Sequence, residues 1–480
     1  MNWNMISAAS PLIILTLGPI GVMLSIGWRR RHSTTLTLSL LLLILAGFAS
    51  LQAMSVAPRQ LTPLLLIDRF GLFYLTFIIV LSGSLLLLGV QYLAHKESHP
   101  DEYYVLFLLA TAGACVMVVS THFASFYLGL EVLSISQYGL IAYVRRDRRG
   151  AEAGLKYLIL AATSAAFILF GMALIYAEFG TMQFAILAHA TPKQVENSVV
   201  LLGVAMVFAG IGFKLSVVPF HLWTPDVYEG APIPVAAFTA TVAKISVLAV
   251  LVRYFALEHA PVSQSLLGIV AISAAVSMLA GSLLALIQHN IKRLLAYSSI
   301  THIGYISVLF LTGGALTHGG VAYYLIAYSA ATLAAFGVVM TTSASLRRPY
   351  DIERLEDFAG LYWRNKTLAI VLTISLLSLA GIPLTAGFIG KLYVVFAGAK
   401  SEYWWLLIVV ALSSVVGVYY YLRIVLILFS RTKTYPPLAT AAPVALPQRI
   451  ILLTLSGISL GLGIYPAPLI SVVQAIFLHP

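Results

Sequence analysis

Stretches of about 20 apolar residues recur along the chain, near 8–28, 34–55, 69–94, 102–120, 123–143, 153–178, 198–227, 232–256, 265–288, 294–313, 320–343, 366–398, 403–430 and 448–471. A helix crossing a bilayer core of about 30 Å needs a run of that length. Hydrocarbon offers backbone groups no water to bond, so the pattern confines the chain to an all-α integral membrane fold of about 14 transmembrane helices. Composition agrees, with 60% hydrophobic and only 9% charged residues, against about a quarter charged in soluble domains. The first stretch lacks a basic n-region and a small-residue cleavage site, so it is expected to be a retained helix and not a signal peptide.

The net charge of +11 has an ordinary source in such a chain. With the N-terminus outside, the inner loops collect most of the Lys and Arg, among them Arg29, Arg30, Arg31, Arg145, Arg146, Arg148 and Arg149, while the outer loops hold Arg59, Arg69, Lys193, Arg253 and Lys400. That asymmetry puts both termini on the outer, periplasmic side, and no nucleic-acid partner is needed to explain the charge. The one cysteine, Cys115, excludes disulfides, iron–sulfur clusters and structural zinc within the chain. Neither GxGxxG nor GxxxxGK[ST] occurs, so no cofactor and no metal is expected here.

The informative residues are the ionisable ones left inside spans: Lys156, Lys214, Lys244, Lys391, Arg423 and, among the acids, Glu131. Each costs at least about 2.5–3.5 kcal/mol at mid-membrane, which an idle side chain does not repay. Two of the spans, 198–227 and 366–398, are longer than a crossing requires, and each contains a breaker: Pro219 in the first, Gly381 and Pro383 in the second. Breaks beside Lys214 and Lys391, with the echo between AGIGFK (209–214) and AGIPLTAGFIGK (380–391), suggest a duplicated five-helix unit of inverted topology.

Burial disfavours the charged form of a lysine, and a carboxylate about 5 Å away returns about 3 kcal/mol at an effective dielectric near 20. A glutamate able to approach or leave a buried lysine is therefore a proton valve, and Glu131 is the candidate partner of Lys214. The competing reading is a static ion pair, but three lysines sharing one acid leave such a network unbalanced. His221 and His302 could pass protons or order water, with Tyr297, Ser298, Ser299 and Thr301 adding hydroxyls near His302. Lys156 lies near a helix end and could snorkel. Arg423 cannot release its proton and reads as structural or as an electrostatic modulator. Asp226 and Glu229 read as cap and loop residues, and His289 and Lys292 as the mouth of a path at the inner surface.

Four segments carry a resemblance: FKLSVVPFHLWTPDVYEGAPIPV (213–235), LGLEVLSISQYGLIAY (128–143), NIKRLLAYSSITHIGY (290–305) and LAGIPLTAGFIGK (379–391). They resemble the antiporter-like membrane subunits of bacterial NADH:quinone oxidoreductase, respiratory complex I, from about the fourth span to the thirteenth. The resemblance implies two inverted five-helix repeats, spans 4–8 and 9–13, with broken spans 7 and 12. It divides the chain into 1–98, 99–260, 261–435 and 436–480. It implies that Glu131, Lys214, Lys244 and Lys391 transfer protons, with Lys156, His221, His302 and Lys292 on secondary parts of the path. Lysine at 391 favours the N or L type over the M type, and the L type is expected to continue into a long lateral helix, which leaves N. Flavin, iron–sulfur clusters and quinone are then expected in other subunits. The implied partners are an M-type neighbour, small K-, J- and A-type membrane subunits and lipids, in a bacterial inner membrane. A multisubunit sodium/proton antiporter, a related ferredoxin-linked complex and a purely structural membrane subunit are the alternatives; the WTPDVYEGAP wording favours complex I.

Overall fold

A chain in hydrocarbon must close its hydrogen bonds within itself, and the computed structural model is helical almost throughout. It describes residues 3–97, 100–144, 147–256, 263–345, 351–431 and 444–478; Arg145 and Arg146 lie outside them. The first helices are α1 (Trp3–Trp28), α2 (His32–Ala53), α3 (Arg69–Lys96), α4 (Asp101–Val118), α5 (Phe123–Ile141) and α6 (Arg148–Phe179). Next come α7 (Ser198–Leu215), α8 (Trp223–Gly230), α9 (Ile233–Ala240), α10 (Val242–Ala256), α11 (Gln264–Leu286) and α12 (Ile291–Leu309). The chain continues through α13 (Gly314–Ser345), α14 (Lys366–Ala380), α15 (Ala386–Lys400), α16 (Trp404–Phe429), α17 (Leu446–Ile464) and α18 (Ala467–Leu478). One departure from an all-α chain is a small antiparallel ladder between Arg59–Thr62 and Leu65–Ile67.

Every expected span coincides with a helix or a broken helix. Among the described residues, 11 helices are long and apolar enough to cross a membrane by themselves. The three other expected spans fall short of that measure for physical reasons. α5 carries Glu131 and Gln137, α12 carries Lys292, Arg293 and His302, and α14 and α15 are two halves of 15 residues each.

The breaks share one chemistry. α7 ends where Ser216 turns left-handed (φ 66), with Val217 N–H donating to Gly212 O at 2.8 Å and Ser216 N–H to Phe213 O at 3.0 Å. α14 ends where Gly381 does the same (φ 76), with Ile382 N–H donating to Leu377 O and Gly381 N–H to Ser378 O, both at 3.0 Å. This paired closure satisfies carbonyls that a simple interruption would leave bare, and the proline just beyond each prevents resumption of the same helix. A third break, at Thr241 between α9 and α10, has no proline or glycine at its centre and was not expected from the sequence.

Packing repeats along the chain. α4 lies on α5, α5 on α6, α6 on α7 and α10 on α4; in the second half α11 lies on α12, α12 on α13, α13 on α14 and α16 on α11. Each set of neighbours is thus used twice, with a broken helix in the same place.

Candidate functional site

Lys214 occupies the last turn of α7, two residues before Ser216. Its ammonium donates to Ser134 Oγ of α5 at 2.6 Å and lies 5.3 Å from the centroid of the Tyr157 ring. Ser134 in turn donates to Leu130 O at 2.5 Å. Glu131, one turn before Ser134 on the same helix, acts on Lys214 through space, but its Oε1 is buried with no hydrogen-bond partner. Glu131, the candidate partner of Lys214, therefore acts on it without a direct bond, and the ammonium's contact is a serine. The reason is helical geometry: residues three apart share a face, and the shorter side chain faces the ammonium first.

From there a polar thread runs inward. Tyr157 donates to Gln137 Oε1 at 2.9 Å, and Gln137 Nε2 donates to Thr239 Oγ1 of α9 at 3.1 Å, just before the Thr241 break. Beyond that break Lys244, 1% exposed, donates to Ser299 Oγ at 2.7 Å, and Ser299 shares a 2.7 Å hydrogen bond with Tyr328. The buried Tyr228 hydroxyl stands between, within electrostatic range of Tyr157 on one side and Tyr328 on the other.

α12 continues the line. Ser298, His302 and Tyr305 fall at i, i+4 and i+7 and so share one face. Ser298 hydrogen-bonds the Tyr421 hydroxyl, and His302 Nδ1 meets the Tyr324 hydroxyl at 2.7 Å while Nε2 faces Tyr421 at 3.4 Å. Tyr305 bonds Ser413 at 2.9 Å and Ser414 at 3.1 Å. At the end of the line Lys391 of α15 donates to Ala380 O at 2.7 Å and Ser414 Oγ at 3.3 Å, its Nζ 5.0 Å from the centroid of the Tyr305 ring. Glu131, Lys214, Lys244, His302 and Lys391 thus fall along one buried polar row.

Other expected residues are placed elsewhere. Thr301 bonds back to Tyr297 O at 3.1 Å and leaves the row. His221 sits in the turn after the break with Nδ1 buried and unpartnered. Lys156 is exposed and pairs with Glu152 (2.7 Å) and Asp226 (3.0 Å), the arrangement of a lysine reaching for the membrane surface. Arg423 donates to Leu286 O and Gln288 O, capping the end of α11, a structural role. Lys292, expected at an exposed mouth, is 1% exposed and clamped: it donates to Ala231 O at 2.9 Å and pairs with Glu353 at 3.2 Å and Asp351 at 3.6 Å.

Sequence reasoning missed the partners. Asp351 also binds Lys96 at 2.7 Å, Arg293 binds Asp226 and Glu229, and Arg253, expected in an outer loop, is buried in a two-pronged pair with Asp68. Burial alone would raise the Asp351 carboxyl, but Lys292 and Lys96, with hydrogen bonds from Lys96 and Tyr92, outweigh it and hold the group below the ordinary 3.8. The tyrosines were legible: Tyr324 and Tyr328 are spaced i, i+4 on α13. Asp351 and Glu353 gave no signal, because they belong to a loop that only the fold brings to Lys292.

A family model described as NADH:quinone oxidoreductase/Mrp antiporter, transmembrane, matches residues 120–417, which include every residue of the row. NADH-quinone oxidoreductase subunit N of Ectopseudomonas mendocina is 45% identical over 97% of this chain and 95% of its own length. The subunit N of Methylococcus capsulatus is 43% identical over 98% and 95%. Among solved structures, a chain of respiratory complex I from Thermus thermophilus with bound aureothin superposes with a TM-score of 0.82 at 31% identity, covering 96% of this chain and 98% of that one.

Proposed function

Since the chain belongs to the NADH:quinone oxidoreductase/Mrp antiporter transmembrane family, we propose that it is the N-type proton-translocating subunit of a bacterial NADH:quinone oxidoreductase. Electron transfer takes place on flavin, iron–sulfur clusters and quinone in other subunits, and this chain moves protons. It spans the inner membrane with both termini in the periplasm and packs against an M-type neighbour and small membrane subunits.

The observation that carries the reading is the set of three buried ammoniums, Lys214, Lys244 and Lys391, held by hydroxyls and carbonyls, with the rings of Tyr328, His302 and Tyr305 packed in succession between Lys244 and Lys391. A neutral hydroxyl can accept from an ammonium or donate to a free amine, so each lysine can lose its proton without stranding a buried charge. Protons enter from the cytoplasm near Lys214, pass Lys244 and His302, and leave by Lys391. Glu131, close to Lys214 but not bonded to it, sets the free energy of the Lys214 charge; a change of separation alters that interaction by about 3 kcal/mol at an effective dielectric near 20. Moving one charge against about 150 mV costs about 3.5 kcal/mol, so the lever is of sufficient size.

The test is Lys244→Met and Glu131→Gln in the assembled complex in proteoliposomes. NADH-driven acidification should fall strongly while reduction of a water-soluble artificial acceptor is unchanged. Sodium-dependent ΔpH in the absence of any electron donor would instead assign the chain to the antiporter branch, and full acidification by both variants would refute the row.

A further inference from the structure

Between the two packing sets, on the side of α7 and α11, the bundle is loosely filled. α7 lies on α6, and α11 on α12 and α16, leaving between them a cavity of about 210 Å³. Gly212, Leu215 and Val217 line it, flanking Lys214 on both sides of the break. Ser273 lines it too and donates to Val218 O at 2.8 Å, tying the post-break turn to α11. At the other end Phe184, Leu187 and Val195 of the α6–α7 connection close it. Half-buried Val204 and Phe208 of α7 and Leu266 and Val270 of α11 form a lateral mouth on the outward face of the bundle.

Its lining contains no charged residue, and only three serines and Tyr254 interrupt the aliphatic and aromatic wall. Apolar cavities of about 150 Å³ stay dry and accept hydrophobic guests. Left empty, a space of this size forfeits the dispersion contacts of every side chain around it. Both helices at the mouth are apolar enough to lie in hydrocarbon, so the molecule present there in quantity is the bilayer lipid. We infer that one acyl chain of a phospholipid enters between α7 and α11 and packs against the break that carries Lys214, as a fixed wedge beneath the turn. The site stands on packing alone, so it can fail or hold independently of the proton row.

The experiment uses the assembled complex in phosphatidylcholine vesicles containing a phosphatidylcholine with a diazirine at the end of one acyl chain, followed by illumination and peptide mapping. Label is expected on Leu215, Val217 or Leu248, which are only 5%, 4% and 1% exposed and out of reach of bulk lipid. Plugging the mouth with Val204→Trp and Val270→Trp should reduce that interior label several-fold and leave label on the outward Leu202 and Ile269 unchanged. Absence of interior label in the wild type, equal interior label in the plugged variant, or its displacement by added isoprenoid quinone would each overturn the assignment.

Discussion

The lysines proposed to carry protons differ from the clamped Lys292 in the charge of their acceptors. Lys292 faces Asp351 and Glu353 and is pinned; Lys214, Lys244 and Lys391 face serines and carbonyls. Ser134 is the sharpest case, because it, and not the nearby Glu131, accepts from the Lys214 ammonium. A hydrogen bond to a charged group is worth about 1.5–3 kcal/mol, so Ser134→Ala should shift the Lys214 protonation equilibrium about tenfold or more. The readout is NADH-driven acidification, expected to drop several-fold with artificial-acceptor reduction intact. Gly381 is the second case. Its left-handed backbone (φ 76) suits glycine, and a Cβ there would stand 2.7 Å from Lys391 Cδ. Gly381→Ala should displace the Lys391 ammonium from Ala380 O, lowering acidification and moving its pH optimum while the complex still assembles on native gels.

Helices of this bundle are held by close approach as much as by apolar side chains, as expected where lipid competes for every apolar contact. α6 and α7 cross at Gly171 and Gly203, where a Cβ on Gly171 would lie 2.5 Å from Gly203 O and one on Gly203 2.9 Å from Gly171 O. Gly203→Leu should force these helices apart and lower both the yield and the thermal midpoint of the assembled complex, with Gly203→Ala intermediate; unchanged midpoints would mean that the crossing can relax. Breaks were readable where a proline or a glycine marked them, at Pro219 and at Gly381 with Pro383. The break at Thr241 was not, because a β-branched residue between two apolar helical runs carries no local mark. It is nonetheless the break that precedes Lys244, so one of the central features of the row depends on tertiary packing.

Across the whole molecule, one end of the bundle is tied by a belt of ions. Lys96 and Lys292 share Asp351, Arg293 bridges Asp226 and Glu229 of α8, and Lys156 reaches Asp226 from α6. The belt fixes α8, the segment after the Lys214 break, to the start of α12. Because the Asp351 carboxyl is held below its ordinary value, its contribution is full above the unfolded value of about 3.9 and is lost as pH falls through the lower folded value. The gap in thermal midpoint between wild type and Asp351→Asn should therefore be constant from about pH 8 to 5 and close only in stronger acid, below about pH 4. A gap that shrinks between pH 7 and 5 would show that the lysines do not govern this carboxyl.

Sequence alone determined that the chain lives in a membrane, where its helices run, two of the three breaks among the described residues, and which ionisable groups fall inside apolar runs. Those are local quantities: hydropathy over 20 residues, a proline, a lysine in an apolar run. Tertiary structure decided the partners. Whether Lys214 meets Glu131 or Ser134 turns on one helical step of α5, and whether Lys292 is a mouth or a clamp turns on a loop some 60 residues further along the chain. Pairings between distant segments are set by how helices cross, and no short window of sequence contains that information.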